Sequence, residues 1–348
     1  METAWQPRSK YFDWKRIALF RRTQATPARA ANAEYRALCQ GEASIPVFSR
    51  PWWLDATAGV DQWDVALVKQ GSEIVATMPY LKRERLGFTL ITHPPLTQTL
   101  GPWIKPLEGD YSARIKHQHK LLQALLEQMP PFDYFHQQWH HSNTNWLPFY
   151  WAGFRQTTRY TYIIEDLTNL EQVFAGFSHG KRRNIKRAED NGIQIRFDIP
   201  AETFYQNHEM TLAQSGKKIL YSYDLFKGIA ESGCQNNSAC TAGAYDAEGN
   251  LHAAVFIIWD ENSAYALLNT VDRRFRESGA SVLLTREVIR HVSTRTRMFD
   301  FEGSMMKQVE GSVREFNTRQ VPYFCISKIP SKLYATGKFL KSTLQAAR

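Results

Sequence analysis

Cysteine is sparse and unpatterned in this 348-residue chain: Cys39, Cys234, Cys240 and Cys325 form neither a Cys-x-x-Cys pair nor a regular ligand spacing. That excludes a zinc finger or ribbon and points to reduced thiols rather than a disulfide framework. Long apolar runs are missing too. No stretch approaches the roughly 20 apolar residues that a bilayer-crossing helix needs, and the first residues lack the apolar core and small-residue cleavage site of a signal peptide. The expectation is a cytoplasmic protein. What is not scarce is positive charge. A net +9 suits contact with phosphates, nucleic acid or an anionic membrane surface, although charge alone says nothing about fold. The length suits two domains of about 150 residues each.

The opening residues 1–34 mix aromatics with Lys10, Lys15, Arg16, Arg21 and Arg22. They read as a solvated extension or as a segment that lies peripherally on the inner face of an anionic membrane. Beyond them the sequence repeats itself. "WDVALVKQGSEIVATMPYL" and "ACTAGAYDAEGNLHAAVFIIW" are each strand, Gly-containing turn, strand. "RLGFTLIT" and "SAYALLNTV" supply a third strand, and "YSARIKHQHKLLQALLEQM" and "GASVLLTREVIRHVSTR" a helical period. "PFDYFHQQW" and "MFDFEGSMM" follow as short aromatic strands, then a short helix and a last strand in each half. The implied fold class is α/β (α+β), with two tandem copies of one unit, each a mixed twisted sheet flanked by helices. Domain 1 is placed at 35–165, domain 2 at 166–330 and a tail at 331–348.

Two segments invite anions. In "GKRRNIKRAEDNG" a basic helix turns Ile185 and Ala188 inward and stops at Asn191-Gly192. Lys181, Arg182, Arg183, Lys186 and Arg187 form a patch of one sign, either a solvated face or an anion-binding surface, since cations at a helix start gain nothing from its dipole. In "TVDRRFRESGASVLL" a strand ends near Val271, a turn carries Arg273, Arg274 and Arg276, and Gly279-Ala280 opens a helix. Free N–H groups there would fit a pyrophosphate. The equivalent turn of the first half, "HPPLTQTLGPW", is proline-rich and unsuited to that task.

Acid–base candidates sit in "FDFEGS". Strand alternation packs Phe299 and Phe301 inward and puts Asp300 and Glu302 on the other face, where burial together would raise a pKa. Two surface carboxylates held by Arg297 or Lys307 are the plain alternative. In the first half, His136, Gln138 and His140 share a face as polar groups lining an acceptor groove; with no carboxylate at ligand spacing, no metal site is expected. Tyr221 and Tyr223 either line an acceptor pocket or are half-buried helix residues. Trp52 and Trp53 read as core or interdomain packing. Ser281 has no Gly-x-Ser-x-Gly setting and is not a nucleophile.

The element order and the turn Arg276-Glu277-Ser278-Gly279-Ala280-Ser281 resemble the GNAT acyltransferase superfamily, whose pyrophosphate loop reads Arg/Gln-x-x-Gly-x-Gly/Ala before a helix; Ser281 departs from its last small position. The duplication, "KRRNIKRAEDNGI" and "FDFEGS…REFNTRQVPYF" resemble its Fem-type branch, twin-GNAT proteins related to peptidoglycan peptidyltransferases, over roughly residues 40 to 330. The resemblance implies acyl transfer to an amine or hydroxyl of a small-molecule or lipid-linked, envelope-related acceptor, from acyl-CoA or from aminoacyl-tRNA. It implies donor contacts at Arg274, Arg276, Ser278, Gly279, Ala280 and Ser281. Glu302 becomes the base with Asp300 beside it. Acceptor contacts fall to Lys181, Arg182, Arg183, Arg187, Tyr221, Tyr223, His136 and Gln138. The long helical arm with which some Fem enzymes grip tRNA has no counterpart in the short helical stretches at 202–232. A nucleic-acid or tRNA-binding module, and a non-catalytic relative, stay open.

Overall fold

The computed structural model describes residues 28–303 and 305–346. The opening segment up to residue 27, and with it the reading of a membrane-seeking N-terminus, lies outside the described residues. Chain order begins with helix α1 (Ala28–Gly41), a 3-10 turn at Val47–Ser49 and α2 (Pro51–Ala58). The first copy then runs β1 (Asp64–Gln70), β2 (Glu73–Arg85), β3 (Phe88–Thr92), a two-residue β4 (Trp103–Ile104), α3 (Tyr111–Glu127), β5 (Tyr134–Gln138), α4 (Leu147–Trp151) and β6 (Arg155–Ile164). Next come α5 (Leu170–Ala175), α6 (His179–Asp190), β7 (Gln194–Phe197), α7 (Ala201–Ala213) and α8 (Tyr223–Gln235). The second copy is β8 (Ala239–Tyr245), β9 (Leu251–Trp259), β10 (Ser263–Val271), a 3-10 turn at Arg273–Phe275, α9 (Ala280–Val292), β11 (Met298–Asp300), α10 (Lys307–Arg314) and β12 (Arg319–Lys328); α11 (Lys332–Ala346) closes the chain. The repeated order read from the sequence is present, with the two-residue β4 as an addition in the first copy.

The copies do not form separate sheets. One sheet runs β1-β2-β3-β5-β12-β6-β11-β10-β9-β8-β7, with β4 beside β2. The last strand of each copy therefore lies against the fourth strand of the other: β12 against β5, and β6 against β11. β12 thus sits in the first copy's half of the sheet, although it is the last strand of the second copy in sequence. The helical residues 28–34, assigned above to an extension, belong to the fold as well. Ala31 and Tyr35 are buried in one cluster with Trp63 and Val65, which fixes α1 on β1.

Alternation explains the second copy's core. Cys240, Ala242 and Ala244 of β8, with Ala253, Val255 and Ile257 of β9, face a cluster built with α6 and α9. Ala254, Phe256 and Ile258 face the opposite cluster, shared with α7 and α8. Both strands are covered on both sides, hence their almost unbroken apolar sequence. That second cluster also takes in Val47, Phe48 and Trp53 from before the first copy. Asp260 reinforces the join: its buried carboxylate accepts from the Val47 N–H at 2.7 Å.

Trp53 is the anchor of this junction. It is fully buried, lies edge-on to Phe48 with ring centroids 5.2 Å apart, and its Nε1–H donates to Thr97 Oγ1 at 2.9 Å. Trp53→Ala is expected to lower unfolding free energy by about 3–5 kcal/mol, and Trp52→Ala, at a half-buried position, by clearly less. Urea denaturation of the two variants checks this order.

Candidate active site

β10 and β11 pair in parallel only from Ser263–Met298 to Tyr265–Asp300. Beyond that point β11 ends, so Ala266–Val271 of β10 lack a strand partner on that side. A register shift between Tyr265 and Leu268 on the β9 side bulges the same stretch. At the mouth of this split lies a small chamber of about 20 Å³ lined by Gln98, Thr99, His140, His141, Thr161, Tyr265, Asp300, Glu302 and Tyr323. Both copies contribute to it.

Asp300 is buried and held from two sides. The Thr161 hydroxyl donates to its Oδ1, and the Glu302 N–H donates to the same oxygen at 2.7 Å. Thr161 Oγ1 in turn accepts from the Gly303 N–H at 3.1 Å. Phe299 and Phe301 pack inward as alternation predicts, 4.9 Å apart. The strand itself stops at Asp300, however, and Glu302 is left-handed at φ 56°. Gly303 runs so close to β6 that a Cβ there would lie 2.0 Å from the Tyr160 carbonyl oxygen, which explains the glycine.

Both carboxyls sit above the ordinary range. Burial pushes Asp300 up to about 6, against the hydrogen bonds from Thr161 and the Glu302 N–H; burial and then the charge of Asp300 raise Glu302 well above its usual value. Burial holds His140 neutral, down to about 3, with His141 beside it adding to the effect. Its Nε2 lies 3.3 Å from the Tyr265 hydroxyl. His141 Nε2 and Thr99 Oγ1 are buried without a hydrogen-bond partner among the described residues, so both are available to a ligand.

Of the expected contacts, the structure brings Asp300 and Glu302 together and joins them to His140. Gln138 reaches the chamber wall only through its side-chain amide, which donates to the Gln98 carbonyl at 3.1 Å. His136 does not enter it and instead meets Cys325, with Nε2 3.1 Å from Sγ. Tyr221 and Tyr223 join an aromatic cluster with Tyr205, and the Tyr221 hydroxyl meets His208 Nδ1 at 2.6 Å. Thr161, Tyr265, His141 and Tyr323 were not anticipated. They lie inside ordinary strand and loop sequence, and only the sheet order brings them together.

The basic helix divides its cations. Lys181 is buried, donates to Ser312 Oγ at 2.9 Å and lies over the Phe316 ring, so it fastens α6 to α10 instead of meeting a ligand. Arg182 donates to the Ala175 and Phe177 carbonyls. Arg183 is exposed, one helical turn from Arg187, whose guanidinium donates to the Glu277 carbonyl at 2.8 Å. Both therefore flank the turn before α9. There Arg274 is held by the buried Asp272 through Nε and Nη2 at 3.0 and 2.7 Å, whereas Arg276 is exposed. Ser278 Oγ accepts from the Ala280 N–H. The Gly279 and Ser281 N–H groups have no partner among the described residues. Gly279, at φ 81°, would place a Cβ 2.1 Å from the Asn184 carbonyl oxygen. Its glycine thus serves the contact of α9 with α6, and a valine there would disturb packing before any ligand.

Residues 177–306 match the family model of the acetyltransferase (GNAT) domain. Over these residues the chain carries the GNAT domain, and the fold of the whole chain is Fem-like. The matched segment is the domain of an acyltransferase, and it contains α6, the turn, β10, β11 and both carboxylates. The structure is similar to the crystal structure of FemX, with a TM-score of 0.63 and 12% identity over 84% of this chain and 95% of that one. It is also similar to a conserved protein of unknown function from Bacteroides thetaiotaomicron, with a TM-score of 0.52 and 10% identity over 87% and 98%. A third neighbour is the C-terminal domain of an assigned lysylphosphatidylglycerol synthetase from Agrobacterium fabrum, with a TM-score of 0.50 and 12% identity over 91% and 97%. No curated protein matches the sequence.

The raised carboxyls make stability fall as pH rises. Their folded pKa values exceed the unfolded ones, so between them the native state binds more protons than the unfolded chain. The Asp300 contribution is complete below pH 3.8 and fades as pH passes about 6, and Glu302 adds one of the same sign. Asp300→Asn keeps an oxygen to accept both hydrogen bonds. Its urea midpoint is expected to lose less than that of the wild type between pH 5 and about 8, in parallel denaturation series.

Proposed function

We propose that this chain transfers an acyl group from an acyl-CoA thioester to the amine of a small polar acceptor in the Asp300–Glu302 chamber. The observation that carries this reading is the meeting of two buried carboxyls, both raised in pKa, with the point where β10 and β11 part. A bound acyl-CoA supplies the activated carbonyl. The chain supplies the rest. The unpaired edge of β10 runs six residues, Ala266 to Val271, about 20 Å, and leads to the turn flanked by Arg183, Arg187 and Arg276. The free Gly279 and Ser281 N–H groups are suited to the donor's phosphates. At the other end, backbone N–H groups of the bulge at Ala266 and Leu267 are suited to the carbonyl oxygen as charge develops there.

Asp300 accepts two hydrogen bonds and is the fixed charge of the pair. Glu302, made more basic by burial and by Asp300, acts in its ionised form: it takes the proton from the attacking nitrogen as the acyl carbon–nitrogen bond forms, and as the carbon–sulfur bond breaks the departing thiolate takes its proton from solvent. The neutral His140 and the raised Tyr265 phenol are suited to orient the acceptor. Next to His140, a cleft of about 270 Å³ is lined by Trp103, Gln118, Ser142, Asn143 and Asn145 and contains no charged side chain. That chemistry favours a neutral, hydroxyl-rich acceptor such as an amino sugar. A small donor is favoured over aminoacyl-tRNA because α7 and α8, between β7 and β8, are 13 residues each and leave no long helical arm among the described residues. A cytoplasmic setting belongs to the same reading.

Glu302→Gln is expected to lower kcat by about 10²–10⁴ while leaving donor affinity near wild type. Unchanged turnover in an acetyl-CoA assay with amino-sugar acceptors would remove its role. Arg276→Ala is expected to weaken CoA binding about tenfold or more, the loss of one charge-assisted contact. Calorimetric titration with CoA and acetyl-CoA measures it, and equal affinity in both proteins would place the donor elsewhere.

A further inference from the structure

The surface formed by α11 and the β2–β3 turn has no part in the chemistry above. Tyr334 fastens the helix to the body, edge-on to Phe88 with centroids 5.2 Å apart and stacked on Tyr134 at 5.4 Å. Lys338, one helical turn later, donates to the Tyr134 hydroxyl at 3.1 Å. With Tyr334 and Lys338 facing the body, Leu333 and Leu340 share a face turned outward, 73% and 57% exposed. Phe339, 69% exposed, borders them.

The contact with Phe88 brings a second element to the same surface. Phe88 opens β3, and the turn before it places Leu86 at its tip, 88% exposed and left-handed at φ 52°. A leucine there bears backbone strain and covers no core. Cations surround these apolar groups: Lys82, Arg83 and Arg85 on β2, and Lys332 on α11, while Lys338 is turned to Tyr134. Glu84, 3.7 Å from Lys82, and Asp133, which accepts from the Thr89 N–H, are acids beside them, and no Asp or Glu follows Glu315 in the sequence.

We infer that this face is a docking surface for an anionic lipid bilayer, with Leu86, Leu333 and Leu340 entering the headgroup boundary and the cations meeting lipid phosphates. An amphipathic helix with outward apolar residues and basic flanks has this binding mode, and a protruding apolar turn beside it adds a second contact. Two charged rims around an apolar strip match an anionic interface better than a second copy of the chain, which would bring equal positive charge against it. The inference stands apart from the proposed acyl transfer, since it uses none of those residues.

Cosedimentation of the full chain with vesicles tests it, comparing phosphatidylcholine alone with phosphatidylcholine mixed with phosphatidylglycerol. Binding to the mixed vesicles that weakens with salt is expected, with little binding to the neutral ones. Leu86→Asn suits the left-handed turn, and it and the double variant Leu333→Gln/Leu340→Gln should each lower partitioning about tenfold. Circular dichroism confirms that both variants keep the fold. Absent binding, or binding that both variants leave intact, overturns the assignment. So does self-association that the same variants abolish, because a second copy would then cover the face.

Discussion

The exchange of β6 and β12 is the constraint on which the rest depends. These two strands pair with each other over nine residues, Arg319 to Ser327, at the centre of the sheet, and each continues into the other copy's half. Neither copy can complete its own sheet. Cross-strand pairing of this length cannot be given up locally, so the two copies hold a fixed relation to one another. The chamber inherits its rigidity from that relation. Thr161, on the first copy's last strand, holds Asp300 of the second; Tyr323, on the second copy's last strand, lines the chamber beside His140 of the first.

The matching strand order also allows the two copies to be compared residue by residue. Phe135 stands between Ile91 of β3 and Lys328 of β12, as Phe299 stands between Ala264 of β10 and Ile164 of β6. With these registers matched, His136 corresponds to Asp300, Gln138 to Glu302 and Cys325 to Thr161. The hydroxyl–carboxylate bond of the second copy thus has a thiol–imidazole contact in its place. The amide of Gln138 is already committed to Gln98, and its backbone N–H to His93 Nε2 at 2.8 Å. Where the second copy has an arginine turn, the first has Pro94 and Pro95. The architecture is duplicated, and the proton-accepting chemistry is not.

Much of the fold was legible because hydrophobic alternation and turn residues act locally. The hairpin of β8 and β9, the helix after "SGAS" and the aromatic strand "MFDF" all announce themselves within a dozen residues. Strand exchange does not. Either neighbour of β6 would satisfy its side-chain pattern, and only three-dimensional closure selects β11. For the same reason Asp300 and Glu302 were readable as a pair, while Thr161 and Tyr265 were not: their roles come from strands distant in sequence. Charge misled in another way. Lys181 and Arg183 are two residues apart in one basic run, but helix periodicity buries the first against Phe316 and exposes the second.

The end of β11 shows why the carboxyl pair needed more than alternation. In a continuing strand, residues 300 and 302 would share a face with Cα atoms about 6.6 Å apart, too wide for a close electrostatic pair in a chamber of this size. The left-handed Glu302 turns the chain back, so that its own N–H reaches the Asp300 carboxylate. Such a conformation costs a non-glycine residue about 1–3 kcal/mol, and the hydrogen bonds from the Glu302 and Gly303 N–H groups, about 0.5–1.5 kcal/mol each, offset it. Gly303 must lie flat against Tyr160 for the second of these to form, which leaves no room for a side chain there. The strained position therefore falls on Glu302, whose carboxyl is raised by burial and by the neighbouring Asp300.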